Sequence, residues 1–184
     1  MGKAEVSIVD FLFESGALKD TPRSGWQTIG IKQPESVADH SFRVALVGWV
    51  LAKLEKADEG KVVRMCLLHD LEESRLGDLH TVNRKYLVEK GSAYADIFKG
   101  LFCGKEFGEL VKELKGMKTK EAIIARDADR LEMVFQAKEY ADQGKRYVGD
   151  WIRTGTESLK TESAKRIARE VVGRDSRAWL FGIK

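Results

Sequence analysis

Apolar positions in this chain recur every three to four residues over long stretches, and no convincing run alternates with the period of two that a half-buried strand needs. After Ser36, the residues Val44, Val47, Leu51 and Leu54 make the buried stripe of a helix running to about Lys56. Ser36 suits the N-cap of that helix, and Asp39 stands three residues on, as in a capping box. A second helix starts near Asp58, whose side chain suits a cap, and carries Val62, Val63, Cys66 and Leu67 towards His69 and Asp70, with Gly77 ending it. An earlier helix covers roughly Val6 to Glu14, and both prolines, Pro22 and Pro34, fall in a loop from Asp20 to Glu35. Two more helices run from Thr119 to about Gln143 and from about Thr161 to Val172, before an aromatic tail with Trp179 and Phe181. Between Thr81 and Met117, five glycines (91, 100, 104, 108 and 116) cut the pattern into short helical pieces such as EFGELVKELKG, a stretch suited to border or cover a site. The expectation is an all-α fold in one domain over residues 1–184, with no repeat, low-complexity tract or linker to divide it.

Composition narrows the setting. A chain of 184 residues can bury a core without disulfides, and 43% hydrophobic with 33% charged residues is ordinary for a globular protein. The longest uncharged apolar run, Val44 to Ala52, is less than half of the roughly 20 residues that span a bilayer. The start, MGKAEVSIVDFLFE, has acids within its apolar stretch, so no signal peptide is expected, and Val6 stands where a myristoylation signal wants Ser or Thr. The net charge of +3 comes from 32 basic and 29 acidic residues that are interspersed, which gives no basic stripe for nucleic acid. Cys66 and Cys103 sit among apolar neighbours outside any CxxC, as free thiols do in a reducing cytoplasm. The expected location is cytoplasmic, with no membrane or nucleic-acid partner. Asparagine occurs once and Gln four times against abundant Lys and Glu, which fits a thermophilic source.

Histidine occurs three times, so each position is informative. His40 lies four residues before Val44 and shares its buried stripe, and His69 with Asp70 follows the apolar residues of the next helix. One such histidine reads as a ring satisfied by a hydrogen bond in the core. Two inward imidazoles with an inward carboxylate read as metal ligands, because a buried carboxylate is costly unless paired or metal-bound. The segment HDLEESRLGDLHT adds Glu72, Glu73, Asp78 and His80. On a continuous helix Glu72 and Glu73 diverge by about 100°, so one of them shares a site with Asp70. We choose Glu73 and read Glu72 as solvated surface. Asp78, after Gly77, reads either as a substrate contact or as a polar turn residue. Further on, ARDADRLEM offers Asp127 and Asp129, about 200° apart, so at most one of them is expected to face inward, and periodicity does not choose.

The ordered segments ESVADHSFRVA, LLHDLEESRLGD and RDADRLEM, together with PRSGWQTIGIKQPESVADH, resemble the HD-domain phosphohydrolases from about Leu18 to Gly144. The likeness is to the branch of 5′-deoxynucleotidases that hydrolyse deoxyribonucleoside monophosphates. This resemblance implies a helical HD domain with a metal site in its core, and His40, His69, Asp70 and Asp129 as ligands of one divalent ion. It favours Asp129 over Asp127 because the family's ligand stands three residues before a glutamate, here Glu132. It implies Glu73 as the catalytic glutamate and Asp78 as a substrate-contacting aspartate. It also implies Trp26 as the residue orienting the nucleotide, Arg23 as the phosphate-binding arginine, and Asp78, Leu79, His80 and Thr81 as pocket lining, with no catalytic role for His80. The bacterial pattern has Arg directly before Trp, whereas Gly25 stands there in this chain.

Two imidazoles and two carboxylates suit Mn²⁺, Co²⁺, Fe²⁺ or Mg²⁺, with Zn²⁺ also compatible. The expected mechanism has Glu73 orienting or deprotonating a water, or assisting proton transfer to the leaving oxygen, with Arg23 offsetting charge on the phosphoryl oxygens. Only His80 remains for a second metal, so one ion is expected. Hydrolases of deoxynucleoside triphosphates or guanosine tetraphosphate share the core pattern, and a metal-retaining regulatory module is the reading outside the enzymes. A small-molecule nucleotide and a second copy of the chain, as a homodimer, are the expected partners.

Overall fold

A computed structural model describes residues 7–86, 93–101 and 103–182, so Val6 and Gly91 lie outside the described residues. Ser7 caps α1 (Ile8–Gly16) by accepting from the Asp10 N–H. A 3-10 turn (Ala17–Lys19) and the short α2 (Ser24–Gln27) occupy the stretch around the first proline. Ser36 and Asp39 form the capping box that the sequence predicts, each side chain accepting from the other's backbone N–H, and launch α3 (Val37–Glu55). Asp58 caps α4 (Glu59–Leu68), also as predicted. Three short helices follow, α5 (Glu73–Leu76), α6 (Thr81–Arg84) and α7 (Tyr94–Ile97). Then come α8 (Gly104–Gly116), the 23-residue α9 (Lys120–Asp142), α10 (Gly149–Ser158), α11 (Glu162–Val172) and α12 (Ala178–Gly182). Among the described residues no strand forms, and an isolated bridge joins Pro22 to Ser36.

The organising element is α9, which packs against α3, α4 and α8 as well as α10 and α11. Fully buried Val44 and Leu51 of α3, Val62 and Met65 of α4, and Ile124, Leu131 and Val134 of α9 form the centre of one apolar cluster. Each such side chain contributes about 1.5–3 kcal/mol by leaving water. Gly48 sets how close α3 and α4 come: a Cβ there would stand 2.6 Å from Cys66 Sγ and 3.1 Å from Val62 Cγ1. That approach matters because α3 carries His40 and α4 ends beside His69.

Two readings of the pattern change. The buried face of α3 is Val37, His40, Val44, Gly48 and Leu51, whereas Leu54 is 45% exposed. Leu54 lies about 120° around the helix from Gly48, too far to share its face. And α4 stops at Leu68 instead of running on to Gly77, which closes α5 with φ +70°. Among the described residues, no helix is long and apolar enough to cross a membrane.

Candidate active site

The end of α4 is shaped by two side chains. The ring of His69 lies with Nδ1 2.6 Å from the Cys66 carbonyl, which competes for an acceptor that a continuing helix would use. The Tyr94 hydroxyl donates at the carbonyls of Leu68 and His69, where α4 stops; the Leu68 carbonyl also accepts the Leu71 N–H. A backbone carbonyl only accepts, so Nδ1 of His69 donates to it and Nε2 is turned to the core. His40 is fully buried on α3, with Nδ1 2.5 Å from Glu132 Oε2 on α9. Arg43, one turn along, donates from Nε to Glu132 Oε1 at 2.9 Å, from Nη2 to Gln136 and from Nη1 to Glu139. This chain of contacts turns Nε2 of His40 towards His69.

Three donor atoms then converge, from His40, His69 and Asp70, with Asp129 beside them. His40 Nε2 and His69 Nε2 are 3.3 Å apart, and Asp70 Oδ2 lies 3.0 Å from His69 Nε2 and 3.8 Å from His40 Nε2. Asp129 Oδ1 reaches in from α9, 3.4 Å from His40 Nε2 and 3.9 Å from His69 Nε2. Donors bonded to one ion at about 2.1 Å stand about 3.0 Å apart at a right angle, about 3.4 Å at a tetrahedral one and about 4.2 Å when opposite, so the His40, His69 and Asp70 spacings fit a divalent cation, and Asp129 stands at the edge of that group. A second acidic group, Glu35, His40 and Glu132, also lies close together. There the 2.5 Å contact between His40 Nδ1 and Glu132 is a hydrogen bond that leaves no room for an ion.

The electrostatics favour a cation at the first group. Burial pushes the Asp70 carboxyl up, but His69, Arg23 and His40 hold it well below the usual carboxylate range. Asp129 behaves alike: burial opposes ionisation, and the two imidazoles and Arg130 overcome it. Burial and Arg23 press His40 towards its neutral form, yet the Glu132 and Asp129 carboxylates outweigh them and raise it to about 10. Without metal, the four-atom group therefore holds a proton on His40 that a cation must displace. Glu73 goes the other way: burial, then the charges of Asp70 and Asp78, push it up to about 9, so it is a neutral acid at pH 7. Its Oε2 is buried without a hydrogen-bond partner among the described residues.

Arg23 binds these carboxylates together, with Nη1 3.1 Å from Asp70, 3.7 Å from Asp78 and 4.0 Å from Glu73. Asp78 also accepts the Ser24 N–H at 2.7 Å, so the turn after Gly77 and the start of α2 are locked to each other. A cavity of about 130 Å³ opens beside the donors, lined by His69, Asp70, Glu72, Glu73, Tyr94 and Asp129 among others. Arg23, Trp26, Asp78 and the segment Leu79, His80 and Thr81 are not part of its lining. Trp26 is 3% exposed, packs on Tyr140 and Trp151, and donates Nε1–H to Glu35 at 3.0 Å. Leu79 offers its carbonyl to Arg84 Nε, and His80 is the backbone N-cap of α6.

Two expectations are corrected here. Glu72 is not simply solvated surface: it lines the same cavity as Glu73, because residues 69–72 form turns instead of the continuous helix on which the 100° divergence rested. Asp127 does not face outward when Asp129 faces in: it is 1% exposed and accepts the N–H groups of Lys160 and Thr161 and the Thr161 hydroxyl, tying down the start of α11. With helices packed on both sides of α9, residues 200° apart are both buried, in different places. Glu132 and Arg43 are partners of His40 that periodicity alone does not single out. The available signal was their spacing, Arg43 three residues after His40 and Glu132 three after Asp129.

The HD domain family matches residues 15–171 of this chain. The chain is 38% identical to the protein named 5′-deoxynucleotidase HDDC2 of Dictyostelium discoideum over 151 residues, covering 74% of this chain and 79% of that protein. It is 32% identical to the Homo sapiens protein of the same name, covering 77% of this chain and 72% of that one. A crystal structure of a protein from Pyrococcus horikoshii superposes with a TM-score of 0.77 at 33% identity, over 90% of this chain and 99% of that one. This chain belongs to the HD domain family, in the branch whose curated members carry the name 5′-deoxynucleotidase.

Proposed function

We propose that this chain is a divalent-metal phosphomonoesterase that hydrolyses nucleoside 5′-monophosphates, deoxyribonucleotides foremost, to nucleoside and phosphate. The observation that carries the reading is the convergence of His40, His69 and Asp70 donor atoms, with Asp129 at their edge, beside the buried carboxyl of Glu73. The names of the relatives from Dictyostelium discoideum and Homo sapiens support the substrate class.

His40 and His69 through Nε2, with one oxygen each from Asp70 and Asp129, would hold a single Mn²⁺, Co²⁺, Fe²⁺, Mg²⁺ or Zn²⁺ ion. When bound, that ion supplies Lewis acidity to a phosphoryl oxygen and to a water. Glu73 keeps its proton by burial and by the charges of Asp70 and Asp78, and we assign it as the donor to the leaving nucleoside oxygen. As water attacks phosphorus and the P–O bond to the nucleoside breaks, the Glu73 proton passes to that oxygen and a proton from the water replaces it. Arg23 holds Asp70, Glu73 and Asp78 in register from behind the cavity, and we keep it as the arginine that offsets phosphoryl charge. We place the nucleoside along Asp78 to Thr81, which adjoins Arg23 through Ser24; Trp26 then acts from beneath, holding Glu35 and the α2 turn.

The reading includes a cytoplasmic location, supported by the free, buried Cys66, whose thiol burial and Asp129 push up and so keep unreactive. It also includes a homodimer, supported by the exposed row Phe42, Leu46, Trp49 and Val50 on α3, which a second copy would cover. A monomeric mass by light scattering would remove that part. Phosphate release from a panel of nucleoside mono-, di- and triphosphates and guanosine tetraphosphate, with Mn²⁺, Co²⁺ or Mg²⁺ and then with chelator, tests the activity. The expected result is release from deoxymonophosphates that chelator abolishes. Hydrolysis confined to the triphosphates or the tetraphosphate, or no turnover with any metal, overturns it.

A further inference from the structure

Three basic side chains line the cavity and have no part in the scheme above: Arg84 from α6, Lys115 from α8 and Arg126 from α9. Each stands near a carboxylate of the site. Arg84 Nη2 is 3.6 Å from Glu73 Oε1, Lys115 Nζ is 3.4 Å from Glu72 Oε1, and Arg126 Nη1 is 3.4 Å from Asp129 Oδ2. The side chains are 64%, 49% and 42% exposed, so contacts this long add little to stability and do not explain why three separate helices bring cations to one cavity. Lys115 is further positioned by lying 4.7 Å over the ring of Tyr94.

Charge and size say what such a cavity accepts. With Glu73 neutral, its lining carries three ionised carboxylates, Asp70, Glu72 and Asp129, which against one divalent cation leave −1 and repel a phosphate dianion. The three bases turn that balance to +2. The volume of about 130 Å³ equals roughly four waters at about 30 Å³ each, enough for a phosphoryl group. It falls well short of the roughly 300 Å³ or more that a pocket for a whole small-molecule ligand occupies, so the nucleoside lies outside. Asp129 turns Oδ1 to the imidazoles and Oδ2 to Arg126, which puts Arg126 one carboxylate away from the metal donors.

We propose that Arg126, with Arg84 and Lys115, forms a cationic seat that holds the substrate's phosphate group in this cavity. The seat deepens the phosphomonoesterase reading and rests on it for the identity of the ester, but phosphate binding by itself tests it. Inorganic phosphate is the probe, titrated calorimetrically into the Mn²⁺-loaded full-length protein and into its Arg126→Ala, Arg126→Lys, Arg84→Ala and Lys115→Ala variants, with Mn²⁺ affinity measured separately. Losing a hydrogen bond to a charged group weakens binding by about 10- to 100-fold, and that loss is expected for Arg126→Ala, with Mn²⁺ affinity within about twofold of wild type. Arg126→Lys should recover part of the loss, and the other two variants should show smaller ones.

Phosphate affinity unchanged in Arg126→Ala, or no phosphate binding by the wild type, overturns the seat. A drop in Mn²⁺ affinity with normal phosphate binding once Mn²⁺ saturates also overturns it, since Arg126 would then only brace Asp129. Arg126-dependent phosphate binding without turnover of any nucleotide upholds the seat while the reaction assigned above falls. Deoxymonophosphate hydrolysis at wild-type KM in Arg126→Ala does the reverse.

Discussion

Glu73→Gln should abolish most phosphate release from deoxyribonucleoside monophosphates, by about 10²- to 10⁴-fold in kcat, while metal binding stays near that of the wild type. The glutamine keeps the volume and the polar contacts of a side chain that is 5% exposed, but it has no acidic proton to give the leaving oxygen. The measurement is single-turnover phosphate release alongside a metal titration, and a rate within tenfold of wild type would remove Glu73 from the chemistry. The same variant tests the cause of its raised pKa. In the metal-free folded protein Glu73 keeps its proton up to about pH 9, whereas an unfolded glutamate releases it near pH 4.5. Between those values the folded state binds more protons, so this group's contribution to stability falls as pH rises. Glutamine has no charge to bury. Metal-free Glu73→Gln should therefore gain steadily on wild type from pH 5 to pH 9 in denaturant unfolding. An equal difference at both pH values would contradict that assignment.

Glu132→Ala should weaken metal binding by about 10- to 100-fold although Glu132 is not among the four proposed donors. Its carboxylate fixes the His40 ring through Nδ1 and is itself clamped by Arg43. Removing it also leaves a buried ring and a guanidinium without their partner, for a stability loss of about 3–5 kcal/mol. Metal affinity against pH separates a positioning role from general damage. Because Glu132 and Asp129 hold a proton on His40 up to about pH 10, wild-type affinity should rise about tenfold per pH unit through neutrality as that proton is displaced. Without Glu132 the curve should flatten at lower pH, and Glu132→Gln, which can still accept from Nδ1–H, should fall between the two. Parallel curves for all three proteins would show that Glu132 acts through folding alone.

Much of this centre was readable in the amino-acid pattern, for definite reasons. His40, His69 and Asp70 stand at helical spacing from apolar residues, Ser36 and Asp58 cap helices as their side chains suggest, and the helices expected from Thr119 and Thr161 begin there. Periodicity failed where its assumption of one buried face or one unbroken helix failed. Residues of α9 are buried around most of its circumference, so Asp127 and Asp129 both turn inward and spacing could not choose between them. The carbonyls at the break after Leu68 are met by Tyr94, 26 residues away, and no local pattern near Glu72 and Glu73 reports that partner. Helix α10, GDWIRTGTES, carries a weak helical signal because two glycines and two threonines lower its propensity. It forms because Gly155 lets it pack closely on Val134 and Met133 of α9, a tertiary cause that sequence alone does not display.

The most direct test of the four-donor centre is anomalous diffraction from crystals grown with Mn²⁺. The account predicts one strong peak about 2.0–2.3 Å from His40 Nε2, His69 Nε2, Asp70 Oδ2 and Asp129 Oδ1. A peak on the opposite side of the His40 ring, between Glu35 and Glu132, would contradict it, as would density that leaves Asp129 unligated.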